Sequence, residues 1–109
     1  MRILHLEDNP AEFIKIQLML QEHGLARDLI RARSAEDFRR EIEDGAFDAV
    51  VVDSGVPGFD GLSAIRLSKE INPQTPVIVC SGSAEGEDVT AAMSEGASHY
   101  VDKAQVWRL

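Results

Sequence analysis

Cysteine is almost missing from this sequence, with Cys80 standing alone among 109 residues. One thiol can form no internal disulfide and no Cys-rich zinc site. Its setting, VIVCSG, reads as a small buried hydrophobe rather than a redox group. Long apolar runs are lacking too. No stretch approaches the ~18 residues that a membrane span requires, and the leading MRILHLEDN meets Glu7 and Asp8 too early for a signal peptide. Basic residues are few and scattered. Lys and Arg number 11 against 19 Asp and Glu, for a net charge of −8, and only Arg39 and Arg40 are adjacent. Phosphate backbones are gripped by clustered cations, so no nucleic-acid contact and no membrane contact is expected. Repeats, linkers and low-complexity tracts are absent as well. The remainder is an ordinary globular composition, 44% hydrophobic and 28% charged, long enough to bury a core without staples. Residues 1–109 are expected to form one domain, and a cytoplasmic location fits that reading.

Short apolar runs alternate with amphipathic stretches. Residues 3–6, 29–32, 49–52, 77–80 and 100–101 predict strands. Three are aliphatic or β-branched without polar alternation, the mark of a parallel strand covered on both faces. The first helix is predicted to open at Asn9-Pro10 and close at Gly24, with Phe13, Ile16 and Leu20 on one face. Ser34 and Asp37 resemble a capping box for the second, with Phe38 and Ile42 inward and Gly45 as terminator. Leu62, Ile65 and Ile71 mark a third that stops near Asn72-Pro73. Val89, Ala92 and Met93 mark a fourth, ended by Gly96. This strict alternation implies an α/β fold with a parallel sheet and right-handed crossovers. After Lys103 only AQVWRL follows, too little for a complete fifth helix. A trimmed last helix, or the front piece of a longer protein, is the expectation.

Function in an open parallel sheet gathers outside the carboxyl ends of the strands. Glu7 and Asp8 follow the first strand, Asp53 the third, Ser81 the fourth and Lys103 the fifth. Three carboxylates, a hydroxyl and an ammonium would thus share one rim. Carboxylates brought together repel unless a cation joins them, and hard oxygen donors with room for water suit Mg²⁺. One carboxylate could then attack phosphorus to give an aspartyl phosphate. The hydroxyl and ammonium would hold the other phosphoryl oxygens, since positioning and charge neutralisation are most of what phosphoryl transfer asks. Each residue alone has a plainer reading, as strand exit, loop cap, turn or solvated charge. Their joint placement at four strand ends carries the functional one. His5, His23 and His99 are not spaced as a metal pair, and structural or surface roles are expected for them.

The strings RILHLEDNP, VVVDSGVPGFDGL, VIVCSGS and GASHYVDK resemble the receiver domain of two-component response regulators over nearly the whole chain. That resemblance implies a flavodoxin-like, doubly wound, five-stranded parallel sheet in the order 2-1-3-4-5. It implies Asp53 as phosphoacceptor, Asp8 as a direct Mg²⁺ ligand, Glu7 acting mainly through water, and the Gly55 backbone carbonyl completing the site. Mn²⁺ could substitute for Mg²⁺. Ser81 and Tyr100 match the switch positions, and Lys103 the family's lysine. Pro57, Gly58, Asp60 and Gly61 match the loop that leads into the third helix. Implied partners are a histidine kinase or phosphotransfer protein and a downstream effector or attached output domain. No turnover of external substrates is implied, only self-phosphorylation and self-dephosphorylation.

Departures from the pattern carry their own expectations. Ala104 replaces the usual proline after Lys103, and a cis bond before alanine costs ~2.5–4 kcal/mol, so a trans bond is expected. Gly55 and Ser83 are small, which should admit water and shorten the life of the phosphorylated state. Val106, Trp107 and Leu109 could promote self-association as a homodimer. A non-phosphorylated pseudo-receiver is the alternative reading. An aspartate-dependent phosphatase would need an acid where Gly55 stands, and a flavin-binding fold would need a phosphate-cradling loop where EDNPAE stands.

Overall fold

The computed structural model describes residues 2–24, 28–53, 61–81 and 86–102. In chain order they form β1 (Arg2–Leu6), α1 (Pro10–Glu22), β2 (Asp28–Ala32), α2 (Ala35–Asp44), β3 (Ala49–Asp53), α3 (Gly61–Ile71), β4 (Val77–Ser81), α4 (Gly86–Glu95) and β5 (His99–Asp102). The strands pair in parallel in the order β2-β1-β3-β4-β5. This is the expected flavodoxin-like sheet. The expected fifth helix falls on residues 103–109, outside the described ones, as do the Ala104 peptide bond and the apolar residues Val106, Trp107 and Leu109.

Alternate strand residues point to opposite faces, and each face builds its own apolar cluster. Leu4, Leu6, Val50, Val52, Val77 and Val79 meet Phe38 and Ile42 of α2, Ala64 and Ile65 of α3, and Ala92 of α4. On the other face Ile3, Val51, Ile78 and Cys80 meet Ile16 and Leu20 of α1. Burial on both faces explains why β1, β3 and β4 read as unbroken apolar runs. It also makes Cys80 a core side chain.

The helix ends follow their sequence signals with some corrections. Asn9 caps α1, its Oδ1 accepting from the N–H groups of Ala11 and Glu12 at 2.9 and 3.3 Å. Gly24 beyond the other end has φ +65°, a left-handed conformation that glycine adopts at least cost. Ser34 caps α2 by accepting from Asp37 N–H at 3.3 Å. The capping box is not reciprocal in the expected sense, because the Asp37 carboxylate accepts from Arg33 N–H instead. Gly45 does end α2, yet its φ of −103° is open to any residue. The demand for glycine there is spatial: a Cβ would lie 2.6 Å from Cε2 of Phe47.

Not every apolar residue that marks a helix is fully buried. Ala92 is buried whereas Met93 is 46% exposed, since neighbours on a helix lie ~100° apart and cannot both face the core. Phe13 is only half-buried, its ring stacking on the buried His5 ring at 5.6 Å between centroids.

Candidate functional site

Parallel pairing sets the strand ends in line. Leu6 lies opposite Val52, so one further step along the same register brings Glu7 beside Asp53. Glu7 N–H is still held by the carbonyl of Ala32 on β2 at 2.9 Å. The chain then turns through Asp8 into the Asn9 cap of α1. The outcome is a corner where Glu7, Asp8 and Asp53 each offer a carboxylate oxygen, all within 4.8 Å of one another. Chain segments 45 residues apart meet there, as the strand-end argument requires.

Burial differs among the three acids. Glu7 is 0% exposed and Asp53 6%, while Asp8 is exposed to solvent. An anion withdrawn from water needs compensating charge or hydrogen bonds, and two acids here are withdrawn beside a third. Hard carboxylate oxygens at this spacing are a suitable donor set for a divalent cation. Octahedral Mg²⁺ at ligand distances of ~2.0–2.1 Å sets neighbouring ligands ~3 Å apart, which small side-chain movements from 4.8 Å would meet. The residues fit the ion.

Strand register places some of the other expected site residues, and the rest lie outside the described residues. Asp53 pairs with Cys80, one residue before Ser81, the last residue of β4. Ser81 in turn pairs with Asp102, the last residue of β5. Lys103 comes next in the chain but lies outside the described residues, as do Gly55, Pro57, Gly58, Asp60 and Ser83. Gly61 is the first residue of α3. Tyr100 sits in β5 opposite Val79 and packs half-buried against the larger apolar cluster. His5 is buried in β1, His23 donates from Nδ1–H to the Met19 carbonyl at 3.0 Å, and His99 is exposed in β5.

One residue at the corner carries no local sequence signal. Arg31, in β2 opposite His5, donates from Nε to the Glu7 carbonyl at 3.0 Å and from Nη2 to the Asp8 carbonyl at 2.7 Å. Its guanidinium lies over the Phe13 ring, 5.8 Å from the centroid. A long cation near the end of the strand that borders β1 was the available hint.

A five-stranded parallel sheet in this order, with an acidic corner at its carboxyl edge, defines the CheY-like class of domain. The family model of the response regulator receiver domain matches residues 3–106, and the chain belongs to that family: it is the receiver domain of a response regulator in two-component signalling. It is 33% identical over 106 residues to the virulence transcriptional regulatory protein PhoP of Salmonella typhimurium, covering 94% of this chain and 45% of that protein. The chain thus spans a little under half the length of the curated relatives it matches. Among solved structures, a receiver domain protein from Clostridium thermocellum is similar with a TM-score of 0.80 at 29% identity, over 94% of this chain and 81% of that one. The receiver domain of sensor histidine kinase PA1611 from Pseudomonas aeruginosa matches with a TM-score of 0.81 at 26% identity, over 98% of this chain and 91% of that one. That domain was solved with a magnesium ion coordinated in its active site cleft.

Proposed function

We propose that this domain is the phosphoacceptor of a two-component phosphorelay, with Asp53 taking a phosphoryl group from a histidine kinase or phosphotransfer protein in a Mg²⁺-dependent reaction. The observation that carries this reading is the meeting of Glu7, Asp8 and Asp53 within 4.8 Å at the carboxyl edge of the sheet. Asp8 and Asp53 would hold the cation directly, Glu7 through water, and the Gly55 carbonyl would complete the set; Mn²⁺ would serve in place of Mg²⁺. When bound, the ion supplies positive charge that offsets the anionic phosphoryl oxygens. The residues of the chain do the rest. A carboxylate oxygen of Asp53 attacks phosphorus, the P–N bond of the donor phosphohistidine breaks, and the donor nitrogen keeps the electron pair. Ser81 and Lys103 would bind the transferred oxygens from the ends of β4 and β5.

The aspartyl phosphate would then bias a two-state surface. Ser81 would move toward the phosphoryl group and Tyr100 would fill the space behind it, shifting α4 and β5. Readers of that surface would be a downstream effector, an attached output domain of a longer chain, or a second copy of this domain. The net charge of −8 supports a protein partner rather than nucleic acid. An ATP-fed phosphorelay works in the cytoplasm, where this domain is placed by the same proposal. No external substrate is turned over; the domain phosphorylates and dephosphorylates itself.

Incubation with acetyl phosphate and Mg²⁺, read by intact mass, tests the reading. The wild type should gain one phosphoryl group, and Asp53→Ala and samples treated with chelator should gain none. A wild type that gains nothing would identify a pseudo-receiver serving only as an interaction module.

A further inference from the structure

The carboxylates of Glu7 and Asp8 can be no better placed than the backbone that carries them, and that backbone leaves β1 and turns before α1 begins. Two devices hold the turn. Asn9 caps the helix beyond it, and Arg31 reaches across from β2 to both peptide carbonyls, at 3.0 Å to Glu7 and 2.7 Å to Asp8. A guanidinium is a rigid planar fork, so two bonds to consecutive carbonyls fix the orientation of both peptide groups. The fork is itself held flat. Phe13 from the first turns of α1 lies under it at 5.8 Å, and the Phe13 ring stacks on His5 of β1 at 5.6 Å. Cation, phenyl ring and imidazole therefore tie β2, α1 and β1 together beside the acidic corner.

We propose that Arg31 is a positioning residue for the metal site, holding the β1–α1 turn so that Glu7 and Asp8 stay within ligand range of Asp53. The inference rests on the Mg²⁺ site described above. It differs from a simple charge effect, and the two have opposite signs. A positive group near three carboxylates weakens their attraction for a divalent cation, so charge alone would make Arg31 oppose metal binding. Geometric support makes Arg31 favour it. Orienting groups behind metal ligands typically contribute tenfold or more in affinity.

Titration of the full chain with MgCl₂ and separately with CaCl₂, by calorimetry on wild type, Arg31→Lys, Arg31→Gln, Phe13→Leu and Asp8→Asn, tests the proposal. Arg31→Lys keeps the charge and loses the fork; Arg31→Gln loses both. Both should bind Mg²⁺ about tenfold more weakly than wild type, with Phe13→Leu weakened less. The loss should be larger for Mg²⁺ than for Ca²⁺, because Mg²⁺ demands near-ideal octahedral ligands and Ca²⁺ tolerates irregular ones. A merely structural weakening of the domain would not change that ratio. Tighter Mg²⁺ binding by Arg31→Gln, or unchanged binding by Arg31→Lys, would overturn the positioning role while Asp8→Asn still lost the ion. A wild type that binds no Mg²⁺ would overturn the metal site itself and this proposal with it.

Discussion

Asp37 and Asp53 are the same side chain in opposite company. On α2, Asp37 accepts from the backbone N–H of Arg33 at 3.1 Å, from Arg33 Nε at 3.3 Å and from Arg40 Nη2 at 2.7 Å. The Arg33 backbone bond first, then the two guanidinium groups, hold its carboxyl below the ordinary value of 3.8 against the opposing pull of desolvation. At the end of β3, Asp53 is buried and faces the acids Glu7 and Asp8. The chain answers the charge of Asp37 with its own cations, spaced at i−4 and i+3 on and before one helix. The acidic corner instead gathers like charges that a stability-driven design would separate. Charge answered by neighbouring arginines on one helix serves folding, whereas the corner gathers three carboxylates within 4.8 Å of one another, a donor set suited to a divalent cation.

Neutralising one partner in each place should move the two regions in opposite directions. The largest effect is expected for Asp53→Asn, which should abolish phosphoryl gain from acetyl phosphate by intact mass, while Asp37→Asn leaves that gain intact. Next, Asp53→Asn should stabilise the metal-free domain by ~1 kcal/mol or more, since it removes like-charge repulsion at short range; thermal denaturation in chelator reads this as a higher midpoint. Asp37→Asn should do the reverse, lowering stability at neutral pH by up to ~1 kcal/mol, the scale of a partly exposed ion pair. A group with a depressed folded-state pKa stabilises above its unfolded-state value and loses that contribution as pH falls through the folded one. The gap between wild type and Asp37→Asn should therefore close in denaturation scans below the ordinary aspartate value of 3.8.

The smallest effect belongs to the pair that joins α3 to α4, an exposed arginine with a half-exposed glutamate. Arg66 grips Glu95 through Nε and Nη2, both at 2.8 Å, and that hydrogen bonding lowers the Glu95 pKa from its ordinary 4.5. Glu95→Gln should lower the thermal midpoint less than Asp37→Asn does, with the difference again lost in acid.

The same contrast separates what was legible in the sequence from what was not. The sheet could be read because β1, β3 and β4 are buried on both faces, so Leu4 and Leu6 serve one cluster while Ile3 serves the other. The edge strand β2 begins at Asp28, one residue before its apolar run, because backbone pairing with Arg2 continues where the side chain is exposed. The acidic corner was legible because a parallel sheet puts strand exits on one rim, so Glu7, Asp8 and Asp53 could be brought together without coordinates. Arg31 was not. Its partners are carbonyls of Glu7 and Asp8, more than 20 residues earlier in the chain, and backbone acceptors leave no residue type to recognise. Met93 was legible as a residue of the fourth helix, but a run of apolar residues does not say which neighbour turns outward.

Magnesium-dependent stabilisation measured on wild type and Asp8→Asn tests the central claim most directly. At a free Mg²⁺ concentration tenfold above its dissociation constant, binding to the folded state alone should add ~1.4 kcal/mol. For a domain of this size that is a rise of several degrees in the wild-type thermal midpoint, about 4–8 °C per kcal/mol. Asp8→Asn should show little or no rise over the same range. A wild-type midpoint indifferent to Mg²⁺, or an equal rise in Asp8→Asn, would contradict the view that these acids meet in order to hold an ion.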